Sequence, residues 1–216
     1  MKSTKSYQLS IFFISSSLLA FEISLMRVLK VEGFGNFTSA AIALALTGFG
    51  AAGTLAFLTH NRIRGKEYTV SVLSVALFLF LLGLGFFLSG KIIFDPLRIV
   101  WERGQILRLF IRYFIYTLPF IAGATFIVLA FSIESAGKAY FFNLIGSGFG
   151  VLTIIVCFFF IPPQRIFIVP LLFSTCALLS LLLTIKFDYK ISVISLALAI
   201  SGFILFFNSN ITIKVI

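Results

Sequence analysis

Histidine and tryptophan each occur once in this chain, cysteine occurs twice, and charged residues make up only 11% of it. Each scarcity excludes something. His60 falls at the end of an apolar run, with no further ligands in reach of it by spacing, so no metal centre is expected. Cys157 and Cys176 lie inside apolar runs without a CxxC partner or a nearby histidine; they read as buried thiols that behave as small hydrophobes. A soluble domain carries about 25% charge and about 45–50% apolar residues with glycine included. Here the apolar share is 60% without glycine, and the mean hydropathy is +1.15. A soluble core cannot use that much apolar surface. The composition describes an all-α, polytopic membrane protein whose first partner is the lipid bilayer.

The net charge is +10. In a soluble domain such an excess would point to nucleic acid. In this chain the lysines and arginines fall between apolar blocks, where they anchor helix ends at lipid headgroups, and no nucleic-acid partner is expected. The N-terminal stretch "MKSTKSYQLSIFFISSSLLAFE" has the charge of a signal peptide, but its apolar run is too long, contains Glu22 and lacks a small-x-small cleavage site. It reads as a retained first helix.

A span needs about 20 mostly apolar residues. Blocks of that kind lie at about Leu9–Leu29, Thr38–Thr59, Thr69–Leu88, Leu109–Phe131, Tyr140–Ile161, Ile166–Ile185 and Ile191–Phe207, the last being the shortest. They predict about seven spans in one helical domain over residues 1–208, with a tail over 209–216. In the longest connection, Asp95-Pro96 is a helix-start signal. Leu97, Val100 and Trp101 follow at i, i+3, i+4 spacing, with Arg98 and Glu102 paired on another face and Gly104 placed to end the helix. The pattern predicts a short interfacial helix near 96–103 with Trp101 at headgroup depth.

Orientation is not set by charge. One side receives Lys2, Lys5, Arg62, Arg64, Lys66, Lys138, Lys186 and Lys190; the other receives Arg27, Lys30, Lys91, Arg98, Arg103, Arg108, Arg112, Arg165 and Lys214. The two sets are too nearly equal for the positive-inside rule to choose.

Thr47-Gly48-Phe49-Gly50 in the second block matches Ser147-Gly148-Phe149-Gly150 in the fifth. Each lies in the middle helix of a group of three, which is the arrangement of a 3+3 inverted repeat. Gly48, Ala52 and Ala56 form one small-residue stripe; Asn143, Gly146 and Gly150 share a face of the fifth block. Such stripes serve either close helix packing or a substrate path. "GSGFGV" is not a nucleotide-binding turn, because the third glycine of that motif would fall at Val151.

Glu22 is the sharpest signal. An intramembrane carboxylate needs a partner, a wet cavity or a proton. Arg27 is five residues away, about 140° around the helix, so it is a poor partner and reads, with Lys30, as an interface anchor. Glu22 is left as a structural polar contact or as a proton or substrate site, with Asn143 as a second polar candidate. Arg108 and Arg112 lie at i, i+4 at the entry of the fourth block and read as further anchors; Pro119 can kink that helix.

"FFISSSLLAFEISLMRVLKV" followed by "ALTGFGAAGTLAFL" resembles the N-terminal membrane region of bacterial spermidine-synthase-like membrane proteins, in which transporter-like helices are fused to an aminopropyltransferase-like, methyltransferase-fold domain. Glu22 and Arg27, the glycines Gly48, Gly50 and Gly53, the region of Asp95-Pro96, Pro119-Phe120 and Gly123, and the series Tyr140, Asn143, Gly146, Gly150 carry the resemblance. Relatives tend to carry Asp where Asn143 stands, so a charge is missing here. The resemblance implies a multi-pass protein of the bacterial cytoplasmic (inner) membrane that binds or translocates a small, cationic solute at Glu22. It also implies a catalytic domain after the helices. This chain ends at "NSNITIKVI", so no aminopropyl transfer and no cofactor are expected of it. Residues 209–216 then read as a truncated connector, and the soluble domain as a separately encoded partner. In the alternative reading the helices only scaffold that partner.

Overall fold

The computed structural model describes residues 5–32, 38–92, 94–184 and 189–209; most of the expected tail, from residue 210 onward, lies outside them. Among the described residues there is no strand. Seven α-helices follow one another: α1 Lys5–Glu32, α2 Ala40–Ile63, α3 Glu67–Lys91, α4 Arg103–Ile133, α5 Ala136–Cys157, α6 Ile168–Thr184 and α7 Tyr189–Phe207. Helix is the conformation that lets an isolated apolar segment satisfy every backbone N–H and C=O internally. The chain is a multi-pass helical bundle, and α1, α2, α3, α4, α5 and α7 are each long and apolar enough to cross a membrane.

The ends of the helices have local causes. After α2 the chain turns through Gly65, at φ +85°, whose N–H donates to Glu67 Oε1 at 2.9 Å. Helix α5 ends at Cys157, short of the expected Ile161; hydrogen-bonded turns run on to Ile161, and after Pro162 a 3-10 turn at Pro163–Arg165 precedes α6. Helix α6 then starts at Ile168, two residues after the expected Ile166. Over the described residues the shortest helix is therefore α6, with 17 residues, and not α7, with 19; of the two, α7 is long and apolar enough to cross a membrane.

The expected interfacial helix near 96–103 is realised as a single 3-10 turn, Pro96–Arg98, followed by hydrogen-bonded turns up to Glu102. Asp95 does cap it, its side chain accepting from Leu97 N, and Pro96 opens it. The turn does not extend because α4 starts early: Gly104 lies in its first turn instead of ending a separate helix. Arg98 bridges both neighbours, 3.2 Å from Asp95 and 3.4 Å from Glu102. Trp101, Val100 and Leu97 are exposed, as an interfacial segment requires.

Helices α1, α3 and α4 supply most of the core, whereas α2, α5 and α7 turn most of their surface outward. Close approaches fix the directions. Leu18 and Phe21 of α1 meet Gly123 and Phe120 of α4, so α1 and α4 are antiparallel. Phe12, Ser16 and Arg27 of α1 meet Gly146, Gly150 and Phe158 of α5, so α1 and α5 are parallel. Phe13, Ser17 and Phe21 meet Phe173, Pro170 and Phe167, so α6 returns antiparallel to α1.

The packing partners follow an internal two-fold logic. Helix α1 packs chiefly on α5 and α6; α4 packs chiefly on α2 and α3. Exchanging α1, α2 and α3 with α4, α5 and α6 turns the first statement into the second. The sequential alternation of direction makes the two halves inverted, as the 3+3 expectation required. Helix α7 has no counterpart and lies along α3.

The repeat is real in packing but out of phase with the peptide match that suggested it. The buried face of α2 is Ala41, Ala45, Gly48 and Ala52; that of α5 includes Ala139, Gly146 and Gly150 with half-buried Asn143 between. These faces superpose at an offset of 98 (139 − 41, 146 − 48, 150 − 52). The matching tetrapeptides are offset by 100 (147 − 47). Two residues rotate a helix by about 200°, so Gly48 is buried where Gly148 is exposed, and Gly150 is buried where Gly50 is exposed.

Candidate functional site

The seam between α1 and α5 is built by small residues and two serines. A side chain at Gly146 would run into the backbone of Phe12, and one at Gly150 into that of Ser16. The absence of side chains brings the two backbones within reach of short hydroxyls. Ser15 Oγ donates to Asn143 Oδ1 at 2.7 Å, and Ser16 Oγ to Gly146 O at 2.7 Å. Ser17 points the other way and donates to Pro170 O of α6 at 2.6 Å. Consecutive residues are rotated by about 100°, which is why one serine triplet can serve two neighbouring helices. Interhelical hydrogen bonds of this kind average about 0.6 kcal/mol in a membrane, so their main effect is to fix register.

Asn143 is thus engaged in a structural contact with α1. Glu22 lies seven residues after Ser15, within about 20° of the same stripe of α1. It is half-buried, and its carboxylate makes no hydrogen bond or ion pair with any described residue. The stripe lies on the edge of α1 that borders α5, and α2 and α5 barely touch each other. Glu22 and Asn143 therefore stand along one side of one helix, with Ser15 between their positions.

Arg27 does not pair with Glu22. Its Nη1 donates to Phe158 O at 3.1 Å, and its guanidinium lies 4.3 Å from the centre of the Phe158 ring. A cation at the carbonyl end of α5 is well placed against the helix dipole. The anchor is therefore to protein at the end of α5. Lys30 and Arg108 are exposed near helix ends, as anchors should be. Arg112 is not: it is buried at 6% exposure, with Nη2 donating to Tyr116 Oη at 3.2 Å, because α4 begins nearly two turns earlier than the apolar pattern suggested and carries Arg112 into the bundle.

The packing glycines divide in the same way. Gly48 meets the backbone of Phe120, and Gly146 and Gly150 meet α1, but Gly50 and Gly53 face open space. They stand on the outer face of α2, Gly50 about 200° and Gly53 about 140° around the helix from Gly48. Sequence reasoning overlooked the tightest crossing. Gly83 of α3 and Gly202 of α7 lie backbone to backbone, so that neither could carry a side chain without displacing the other helix. Beyond that crossing the helices part, leaving a cleft of about 80 Å³ lined by Phe87, Gly90, Lys91, Asn208 and Ser209. It contains none of the polar candidates. Also overlooked were Ser15–Ser17, whose run of three hydroxyls in an apolar helix was a usable signal, and Glu134, which sits in what reads as a plain connection. No group of three or more His, Cys, Asp or Glu able to hold a metal exists among the described residues.

Comparison with protein-family models, with curated proteins and with solved structures finds no match to this chain.

Proposed function

We propose that this chain is a membrane protein, of the bacterial cytoplasmic membrane, that binds or translocates a small cationic solute through contact with Glu22. One observation carries the reading: an intramembrane carboxylate, half-buried beside the α1–α5 seam, makes no hydrogen bond or ion pair with any described residue. Intramembrane carboxylates that serve structure alone are paired. The inverted packing of the two halves supports a transporter-like role, since solute sites in such folds lie where the halves meet. The resemblance to the helical part of spermidine-synthase-like proteins supports a polyamine-sized cation. The chain itself is expected to transfer no aminopropyl group: supplied with decarboxylated S-adenosylmethionine and putrescine it should form no spermidine, and product would overturn that part of the reading.

The direct test uses radiolabelled putrescine with the purified chain in liposomes. Wild-type protein should bind or take it up saturably, and Glu22→Gln should reduce this at least about tenfold, the cost of losing one charge-assisted contact. Equal binding by wild type and Glu22→Gln would sink the assignment of Glu22. If neither putrescine nor spermidine binds, and the chain instead co-purifies with a separately encoded soluble partner, the scaffold reading replaces it.

A further inference from the structure

The cleft between the ends of α3 and α7 plays no part in the preceding reading. The Gly83–Gly202 crossing holds these two helices together, and the Phe86 and Phe206 rings, with centres 5.6 Å apart, fill the space next along the pair. One step further the helices part. Gly90 offers no side chain there, and Phe87, Lys91, Asn208 and Ser209 close the other sides. Lys91 is the last residue of α3, and Asn208 follows the last residue of α7.

The polar groups of the cleft are not consumed by the protein. Lys91 is exposed and makes no ion pair among the described residues. Its Nζ stands 5.6 Å from the centre of the Phe87 ring, which keeps the ammonium at the wall of the cleft. The Asn208 side chain is exposed and hydrogen-bonds to no described residue. Ser209 differs: its Oγ donates to Phe206 O at 2.5 Å, so it can accept but has no proton left to give. Helices α3 and α7 run parallel and both end here. Their last carbonyls lack intrahelical partners and bring the negative ends of two helix dipoles to the cleft.

One ammonium thus stands beside two carbonyl ends. A bare anion would meet Lys91 but also both dipoles, and a bare cation would meet the dipoles but also Lys91. A zwitterion answers both charges. Its phosphate takes N–H donors from Lys91 and the Asn208 amide, and a primary ammonium gives its own N–H groups to the carbonyl ends and to Ser209 Oγ. A quaternary ammonium has no N–H to give. The cleft lies at the end of the bundle where exposed Trp101 marks headgroup depth. Asn208 also continues the stripe Ile200, Ile204 at i, i+4, i+8, and both isoleucines are exposed, so an apolar track leads from the cleft into the hydrocarbon. Basic pockets between membrane helices are places where lipid headgroups bind. We propose that this cleft holds the headgroup of an ethanolamine phospholipid, with its phosphate on Lys91, its ammonium on the helix-end carbonyls and an acyl chain along Ile204 and Ile200. The site shares no residue with the α1–α5 seam and stands whether or not Glu22 binds a solute.

The test uses the full chain, delipidated in detergent. Ethanolamine, glycerol and choline phospholipids with identical acyl chains are added, and retention is read by native mass spectrometry and by binding of radiolabelled ethanolamine phospholipid in mixed micelles. The expected result is one ethanolamine phospholipid held saturably per chain, at least about tenfold more tightly than either competitor. Lys91→Gln and Asn208→Leu should each weaken binding by about tenfold while leaving Tm in lipid-free detergent unchanged. Either variant carries the test if the other does not fold. Soluble phosphoethanolamine should not displace the lipid. Equal retention of the choline lipid or of the glycerol lipid, wild-type affinity in the variants, or displacement by phosphoethanolamine would each overturn the proposal.

Discussion

A single methyl group is enough to test the seams of this bundle. At Gly146 and Gly150 it would press on the backbone of α1, and at Gly83 on that of α7, where no side chain can yield. Gly146→Ala, Gly150→Ala and Gly83→Ala should each destabilise the fold by about 1–3 kcal/mol, the usual cost of overpacking. Gly50→Ala and Gly53→Ala face open space and should change stability by less than about 0.5 kcal/mol. Unfolding by steric trapping in bicelles measures both classes. Equal losses at Gly50 and Gly146 would mean that the outer face of α2 is covered by something else. Glycine content marked α2 and α5 as packing helices, but which glycine packs depends on helix phase. Phase is set by neighbours that the sequence does not name. Glu22 was legible because a carboxylate stands out against an apolar run. Glu134 was not, because at the end of an apolar block a charge looks like ordinary solvation.

The helices themselves were legible because lipid leaves an apolar run little choice but helix. Their ends were less so. The 3-10 turn at Pro96–Arg98 replaces an expected interfacial helix, and the one at Pro163–Arg165 precedes a sixth helix that starts two residues later than expected. In both places proline fixed where the turn begins, and contacts decided where it stops. Gln105 is the deciding residue in the first: it is buried, its Oε1 accepts from Asp95 N at 3.2 Å, and its Nε2 donates to Glu102 at 2.9 Å. That hydrogen bond, with the Arg98 guanidinium beside it, holds the Glu102 carboxyl below its ordinary value. A depressed carboxylate lends order above its unfolded value of about 4.3 and withdraws it as pH falls through the lower, folded value. Trp101, the sole tryptophan, is the adjacent residue and reports on the segment directly. Its emission should hold steady down to about pH 4.3 and shift only in more acid solution, and Glu102→Gln should remove the shift. A transition well above that range in wild type would contradict the account.

At the level of the molecule, two inverted triplets of helices and an unmatched seventh make the fold. The idea of a repeat was reachable from sequence, although the peptide that suggested it sits two residues out of phase. The reason is physical: inverted halves need to reproduce a packing face, and Ala, Gly and Asn are interchangeable on such a face where bulk is what matters. An odd number of helices also sends the two ends of the bundle to opposite faces, as the parallel run of α3 and α7 requires. Lys5, Arg62, Arg64, Lys66, Lys138 and Lys190 then sit at one face, and Lys30, Lys91, Arg98, Arg103, Arg108 and Arg165 at the other. The insertion machinery meets nearly the same basic charge whichever end leads. Newly made chains should therefore enter the membrane both ways up, and reporters fused near Lys5 should divide between the two compartments. Two or three added arginines beside Lys5 should collect them in one, giving a population of uniform polarity from one that began as a mixture.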